Sequence, residues 1–173
     1  MAAVSKRDLD PAKGRRCLVP LIVSSQEHSV ERSADSGHRD YSHRSTVDKL
    51  GIREGHAVSF VNEAWKIDDE LRRDVLARTG RKPAREDEPV DIALISADSE
   101  TDVVSALREW RRRIRPEGGI WVLTPKRGQP GYVNQSDLIP DGLEAGLVDN
   151  KTCSASGTIS GIRFVIRVKD RAA

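Results

Sequence analysis

Cysteine is almost missing from this chain. The two present, Cys17 and Cys153, stand far apart, with no CxxC spacing and no metal-ligating pattern. A bridge between them would staple the polar N-terminal region to a distant strand, a rarity where thiols are kept reduced. Cys153 therefore reads as a small strand residue. Long apolar runs are missing too. The longest near the N-terminus is Cys17 to Val23, interrupted by Pro20, far short of a bilayer span. No basic segment leads into an apolar stretch and a small-residue cleavage site. The expected compartment is the cytoplasm, with no membrane partner. Charge of one sign is also lacking. Residues 1–45 hold eight of the 29 Lys/Arg and six of the 27 Asp/Glu, which leaves twenty-one of each over 46–173. A neutral domain is poorly suited to phosphate-driven nucleic-acid binding.

What is present is a one-domain length of 173 residues with a mean hydropathy of −0.53. Residues 1–45 show no sustained period of 2 or 3.6 and hold three of the four histidines, His28, His38 and His43. So polar a segment cannot bury enough apolar surface to offset its ordering entropy. It is expected to be a disordered tail, or the product of a start site placed too far upstream; composition fits both. Residues 46–173 carry the pattern of one α/β domain. A capping box at Ser45 opens a short helical turn to Leu50. A strand follows over His56 to Val61, then a helix over Ile67 to Thr79 with Ile67, Leu71 and Val75 on one stripe and Gly80 at its end. Past a polar loop over 81–89, a second strand runs from Val90 to Ser96. Ser99 is expected to cap a helix over Glu100 to Ile114, whose stripe is Val103, Leu107, Trp110 and Ile114. Pro116-Glu117-Gly118-Gly119 reads as a turn into Ile120–Thr124, a strand apolar on both faces and so covered on both sides. A short helix near Ser136 to Ala145 contains Pro140 and Gly142, which speak against it. Strands over Leu147–Ala155 and Gly161–Val168 close the chain.

Strands that alternate with helices predict parallel pairing, and the final hairpin adds an antiparallel strand. The expected fold class is α/β, a Rossmann-like three-layer sandwich of about five strands. Leu50-Gly51-Ile52-Arg53-Glu54-Gly55-His56-Ala57-Val58 resembles the approach to the first strand of class I methyltransferases. Val90-Asp91-Ile92-Ala93-Leu94-Ile95 resembles their fourth strand. Arg115-Pro116-Glu117-Gly118-Gly119-Ile120-Trp121-Val122 is similar to their turn into the fifth. Over about 47–168, the run Trp121 to Lys126, with Gly131-Tyr132-Val133 and Ser136-Asp137, resembles an uncharacterised, mainly actinobacterial domain-of-unknown-function family, the one numbered three thousand and fifty-two.

The departures from the methyltransferase pattern matter more than the matches. Those enzymes place a glycine-rich turn after the first strand, where the backbone approaches S-adenosylmethionine and a Cβ would collide. Here the chain reads Phe60-Val61-Asn62-Glu63-Ala64-Trp65. Only a helix and the 81–89 loop separate Val61 from Val90, so strands two and three are expected to be lacking and the first strand to form a sheet edge. That edge calls for cover by the 81–89 loop, a second copy or another protein.

Rossmann-like sheets bind ligands at the carboxyl ends of their strands. Those ends offer a candidate rim of Asn62, Glu63, Ser96, Asp98, Lys126 and Arg127, suited to a small polar or anionic ligand, although ordinary loop duty is the preferred reading, since every α/β rim has such residues. His56 has no readable orienting partner. No Ser or Cys sits in a nucleophile-elbow context. The run Arg111-Arg112-Arg113-Ile114-Arg115 reads as a solvated helix end with no aromatic placed beside it to stack bases. Asp68-Asp69-Glu70 and Glu86-Asp87-Glu88 resemble metal sites in composition alone. The sequence thus predicts no catalytic residue, no metal and no cofactor. It predicts a non-catalytic binding or regulatory module whose partner is a protein or small ligand, with a homodimer left open. The alternative is an enzyme that holds S-adenosylmethionine or a nucleotide in a degenerate site.

Overall fold

The computed structural model describes residues 44–171. All but the last two residues of the expected tail lie outside them, as does Cys17. In chain order come α1 (Thr46–Leu50), β1 (Val58–Asn62), α2 (Asp69–Thr79), β2 (Val90–Ser96), α3 (Val103–Arg111), β3 (Ile114–Pro125), α4 (Leu138–Glu144), β4 (Val148–Ser154) and β5 (Ile159–Val165). Short 3-10 turns lie at Gln135–Asp137 and Val168–Asp170. The strands form one sheet in the order β1-β2-β3-β5-β4. The first three are parallel, and β5 runs antiparallel to both β3 and β4. This is the Rossmann-like sheet expected of a methyltransferase fold without its second and third strands.

Strand alternation builds the three layers. Along β3, Trp121 and Leu123 join a core with Val47 and Leu50 of α1 and Val75 of α2. Ile120 and Val122 join the opposite core with Val103, Leu107 and Trp110 of α3 and Leu138 of α4. Among the described residues no helix is long and apolar enough to cross a membrane.

The boundaries of α2 and β2 fall close to expectation. Asp68 caps α2, its Oδ1 accepting from the backbone of Glu70 and Leu71, and Gly80 closes the helix at φ 66°. Elsewhere the structure differs. Asp102, not Ser99, caps α3: its Oδ1 accepts from Ser105 N at 3.0 Å, and the helix starts at Val103. The Pro116–Gly119 segment is not a free turn but lies inside β3. Val90 pairs with Ile114 and Ile92 with Gly119, so the residues between bulge out opposite Asp91. Asp91 pins this bulge, with Oδ1 3.3 Å from Arg115 Nε and Oδ2 accepting from Ala57 N at 2.8 Å. A Cβ on Gly118 would stand 2.8 Å from Asp91 O and 2.9 Å from Arg115 O, so the bulge requires glycine there. Pro140 and Gly142 are both accommodated in α4. Pro140 sits in the first turn, where its missing N–H costs nothing. Gly142 lets the helix lie against the ring of Phe164, which a Cβ would strike. The last strand ends at Val165, and Val168 is exposed rather than alternating inward.

At the sheet edge, the 81–89 loop supplies cover from within the chain: Ala84 N donates to Val58 O at 2.9 Å. Arg81 holds this loop through a two-pronged contact with Glu88, at 2.7 and 2.9 Å.

Candidate functional site

The parallel strands β1, β2 and β3 end together, and that end carries every residue of the predicted rim. Four of the six take part in loop architecture. Ser96, fully buried, closes the chain after β1. Its Oγ donates to Trp65 O at 2.6 Å and accepts from Trp65 N at 3.3 Å, while its carbonyl accepts from Ala64 N at 3.3 Å. Asn62 Oδ1 accepts from Ile67 N at 3.0 Å, and the Ile67 side chain is fully buried. Asp98 Oδ1 accepts from Glu100 N and Thr101 Oγ1. Lys126 Nζ donates to Ser154 Oγ at 2.7 Å and to Ser156 O at 2.6 Å, bracing the β4–β5 turn. Glu63 and Arg127 are exposed.

These contacts bear directly on the cofactor that the fold implies. In the resemblance, a glycine turn after the first strand opens room for S-adenosylmethionine. Here the 63–68 segment is drawn down onto Ser96 and anchored by Ile67. The crest of β1 and β2 is covered by the chain's own backbone, and the neighbouring strands that would hold a cofactor ribose are lacking. The residues present do not fit the group.

Among the described residues two clefts stand out at this end of the sheet. The larger, about 520 Å³, lies between the start of α2 and the β4–β5 turn. Trp65, Leu71, Leu123 and Ile159 supply its apolar wall, and Asp68, Glu70 and Asp74 its acidic one. The smaller, about 390 Å³, is lined by Pro125, Lys126, Arg127, Ser160 and the segment from Tyr132 to Gln135. Among the described residues no carboxylate lines it. Lys126 belongs to its wall and Ser156 to the wall of the larger cleft, so the 2.6 Å bond between them lies in the partition. Sequence reasoning singled out Lys126 and Arg127 here but not Tyr132 or Gln135. A loop tyrosine and a glutamine that opens a 3-10 turn carry no local signal until the chain brings them beside Pro125 to Arg127.

Other candidates are placed plainly. His56 Nδ1 accepts from Arg53 N in the turn before β1. Burial of Cys153 pushes its thiol up from its ordinary value, which disfavours the nucleophilic thiolate. Arg113 lies over the Trp110 ring at 4.2 Å. Among the described residues no group of three or more His, Cys, Asp or Glu side chains could hold a metal ion.

Comparison with known proteins bears on the family and the fold. The family model described as Protein of unknown function (DUF3052) matches residues 47–168. Uncharacterized proteins of Mycobacterium bovis and Mycobacterium tuberculosis are each 31% identical over 120 residues, 68% of this chain and 75% of the relative. Among solved structures, the O-methyltransferase NcsB1 of neocarzinostatin biosynthesis was determined with S-adenosyl-L-homocysteine and 1,4-dihydroxy-2-naphthoic acid. It superposes with a TM-score of 0.52 at 14% identity, over 70% of this chain and 51% of that one. CalO1, a methyltransferase of calicheamicin biosynthesis in its S-adenosyl-L-homocysteine-bound form, gives 0.50 at 14%, over 70% and 52%. The chain thus spans about half the length of these enzymes, and likeness at this identity shows the fold alone.

Proposed function

Because the chain belongs to the family described as Protein of unknown function (DUF3052), whose matched relatives bring no activity with them, we propose that it is a binding module on a methyltransferase-like scaffold. It works without catalysis and takes a small ligand or a protein partner at the carboxyl end of its sheet. The observation that carries this reading is the lock between Ser96 and Trp65. It commits the first loop to the chain itself, at the place where a methyltransferase keeps its backbone open. The two clefts beside that lock supply concave surface of the kind that small ligands use.

Thermal unfolding of the full chain with S-adenosylmethionine, S-adenosylhomocysteine and common nucleotides tests the proposal. A ligand at a hundred times its dissociation constant adds about 2.7 kcal/mol of stability, a readily measured shift. No shift is expected with either adenosyl compound. A shift with either adenosyl compound would overturn the non-catalytic reading and turn attention to an enzyme with a rebuilt cofactor site.

A further inference from the structure

The smaller cleft has features that loop architecture does not use up. Among the described residues Lys126 Nζ is bonded only to neutral oxygens, those of Ser154 and Ser156, which leaves its charge uncompensated there. Arg127 is exposed beside it and has no partner among the described residues. Among the described residues the lining contains no acid to oppose these two cations. Asp98, which packs behind Gly131, has its Oδ1 engaged by Glu100 N and Thr101 Oγ1. Two polar atoms here are buried and unpartnered. One is Gln135 Nε2, in the lining. The other is Oγ1 of Thr124, a residue with no exposed surface. Thr124 adjoins Pro125 and pairs in register with Ser160, and both of these line the cleft. A buried donor without a partner is costly and calls for an explanation. Tyr132 stands in the same wall with more than a third of its surface open.

We infer that this cleft binds a small aromatic oxyanion, a carboxylate or a phosphate monoester. The charged end would meet Arg127 and the field of Lys126, and the ring would pack on Tyr132. Planar guanidinium recognition of carboxylate and phosphate needs the side chain free, and Arg127 is free where Lys126 is not. The inference rests on the binding-module reading and names a ligand class for one of its two clefts.

The test is titration of the isotope-labelled full chain, followed through its backbone amides. The probes are phenyl phosphate, benzoate, inorganic phosphate and the neutral benzyl alcohol. Phenyl phosphate or benzoate is expected to shift amides within 126–135, and the stronger of the two identifies the oxyanion. Benzyl alcohol is expected to leave those amides in place. R127Q should weaken the anion by about tenfold or more, the loss expected for one charged hydrogen bond, and R127E should abolish binding. Both substitutions fall at an exposed, unpartnered position, so native amide spectra confirm the fold. Y132A should weaken phenyl phosphate but not inorganic phosphate. Anions that leave 126–135 unmoved, equal binding by R127Q, or equal binding of benzyl alcohol would each overturn the inference. None of these outcomes alters the adenosyl-compound result, so failure of this site and failure of the non-catalytic reading are separately visible.

Discussion

The indole Nε1 of Trp121, midway along the central strand, donates a buried 2.9 Å hydrogen bond to the carbonyl oxygen of Leu50. The carbonyl is at the end of α1, so its acceptor is not satisfied within the helix. One bond therefore seats the first helix on the sheet and completes the polar end of the largest side chain in that core. Trp121→Phe removes the indole N–H and the fused five-membered ring, which orphans the carbonyl and opens a small cavity. It should cost about 1–3 kcal/mol, read as a lower urea midpoint at unchanged slope. A midpoint within error of the parent would show that the bond contributes nothing net.

Gly142→Ala tests the approach of α4 to the sheet. Helix propensity alone favours alanine, by about 1 kcal/mol. The Phe164 ring opposes it, because the added Cβ would collide with that side chain. Overpacking a closed core costs about 1–3 kcal/mol, so the substitution should destabilise. If it stabilises, the helix is free to lift off Phe164.

Ser96→Ala should release the first loop. It removes the hydroxyl that bonds Trp65 on both sides, at a cost of about 1–3 kcal/mol. Hydrogen exchange at Trp65 and Ile67 should quicken, while amides in β3 keep their protection. Unchanged exchange at both would mean that Asn62 and Ile67 suffice to hold the loop.

The Glu88 carboxyl is held below its ordinary value, chiefly by the Arg81 guanidinium and then by Arg85 N. A depressed folded value means that the ionised form is favoured by folding. The stabilisation is present above the unfolded value and is lost as pH falls through the folded one. Glu88→Gln should therefore lower stability at neutral pH, and the difference from the parent should close as pH falls below about 4. Urea midpoints across that range provide the check. A gap that stays constant with pH would assign the effect to lost packing instead.

Local chemistry made several elements legible. Val90–Ser96 is an apolar run between Pro89 and a polar stretch, and β2 has those limits. Asp68 and Gly80 punctuate α2 as a cap and a left-handed end should. What was not legible depended on distant partners. Ser99 and Asp102 are equally good caps on paper, and only the turn fixed by Asp98 and Thr101 decides for Asp102. Gly118 and Gly119 look like a turn because the bulge that needs them is set by Asp91 across the strand pair. The six rim residues do lie where the parallel strands end, since strand direction follows from the alternation. Which of its residues are engaged by the chain, as Lys126 is by Ser154 and Ser156, becomes visible only when β4 and β5 fold back beside β3.

The contact between Ala84 and Val58 has a consequence for how this chain can change length. The 81–89 segment lies between α2 and β2, where larger members of the fold insert two strands, and it lays one backbone bond on the flank those strands would occupy. Lengthening a loop costs little closure entropy, about 0.6 kcal/mol for each doubling. Extra sequence spliced after Ala84 would leave the order β1-β2-β3-β5-β4 and both clefts at the far end of the strands undisturbed. The segment is a splice point, where a tag, a reporter or an added module can be carried beside the sheet.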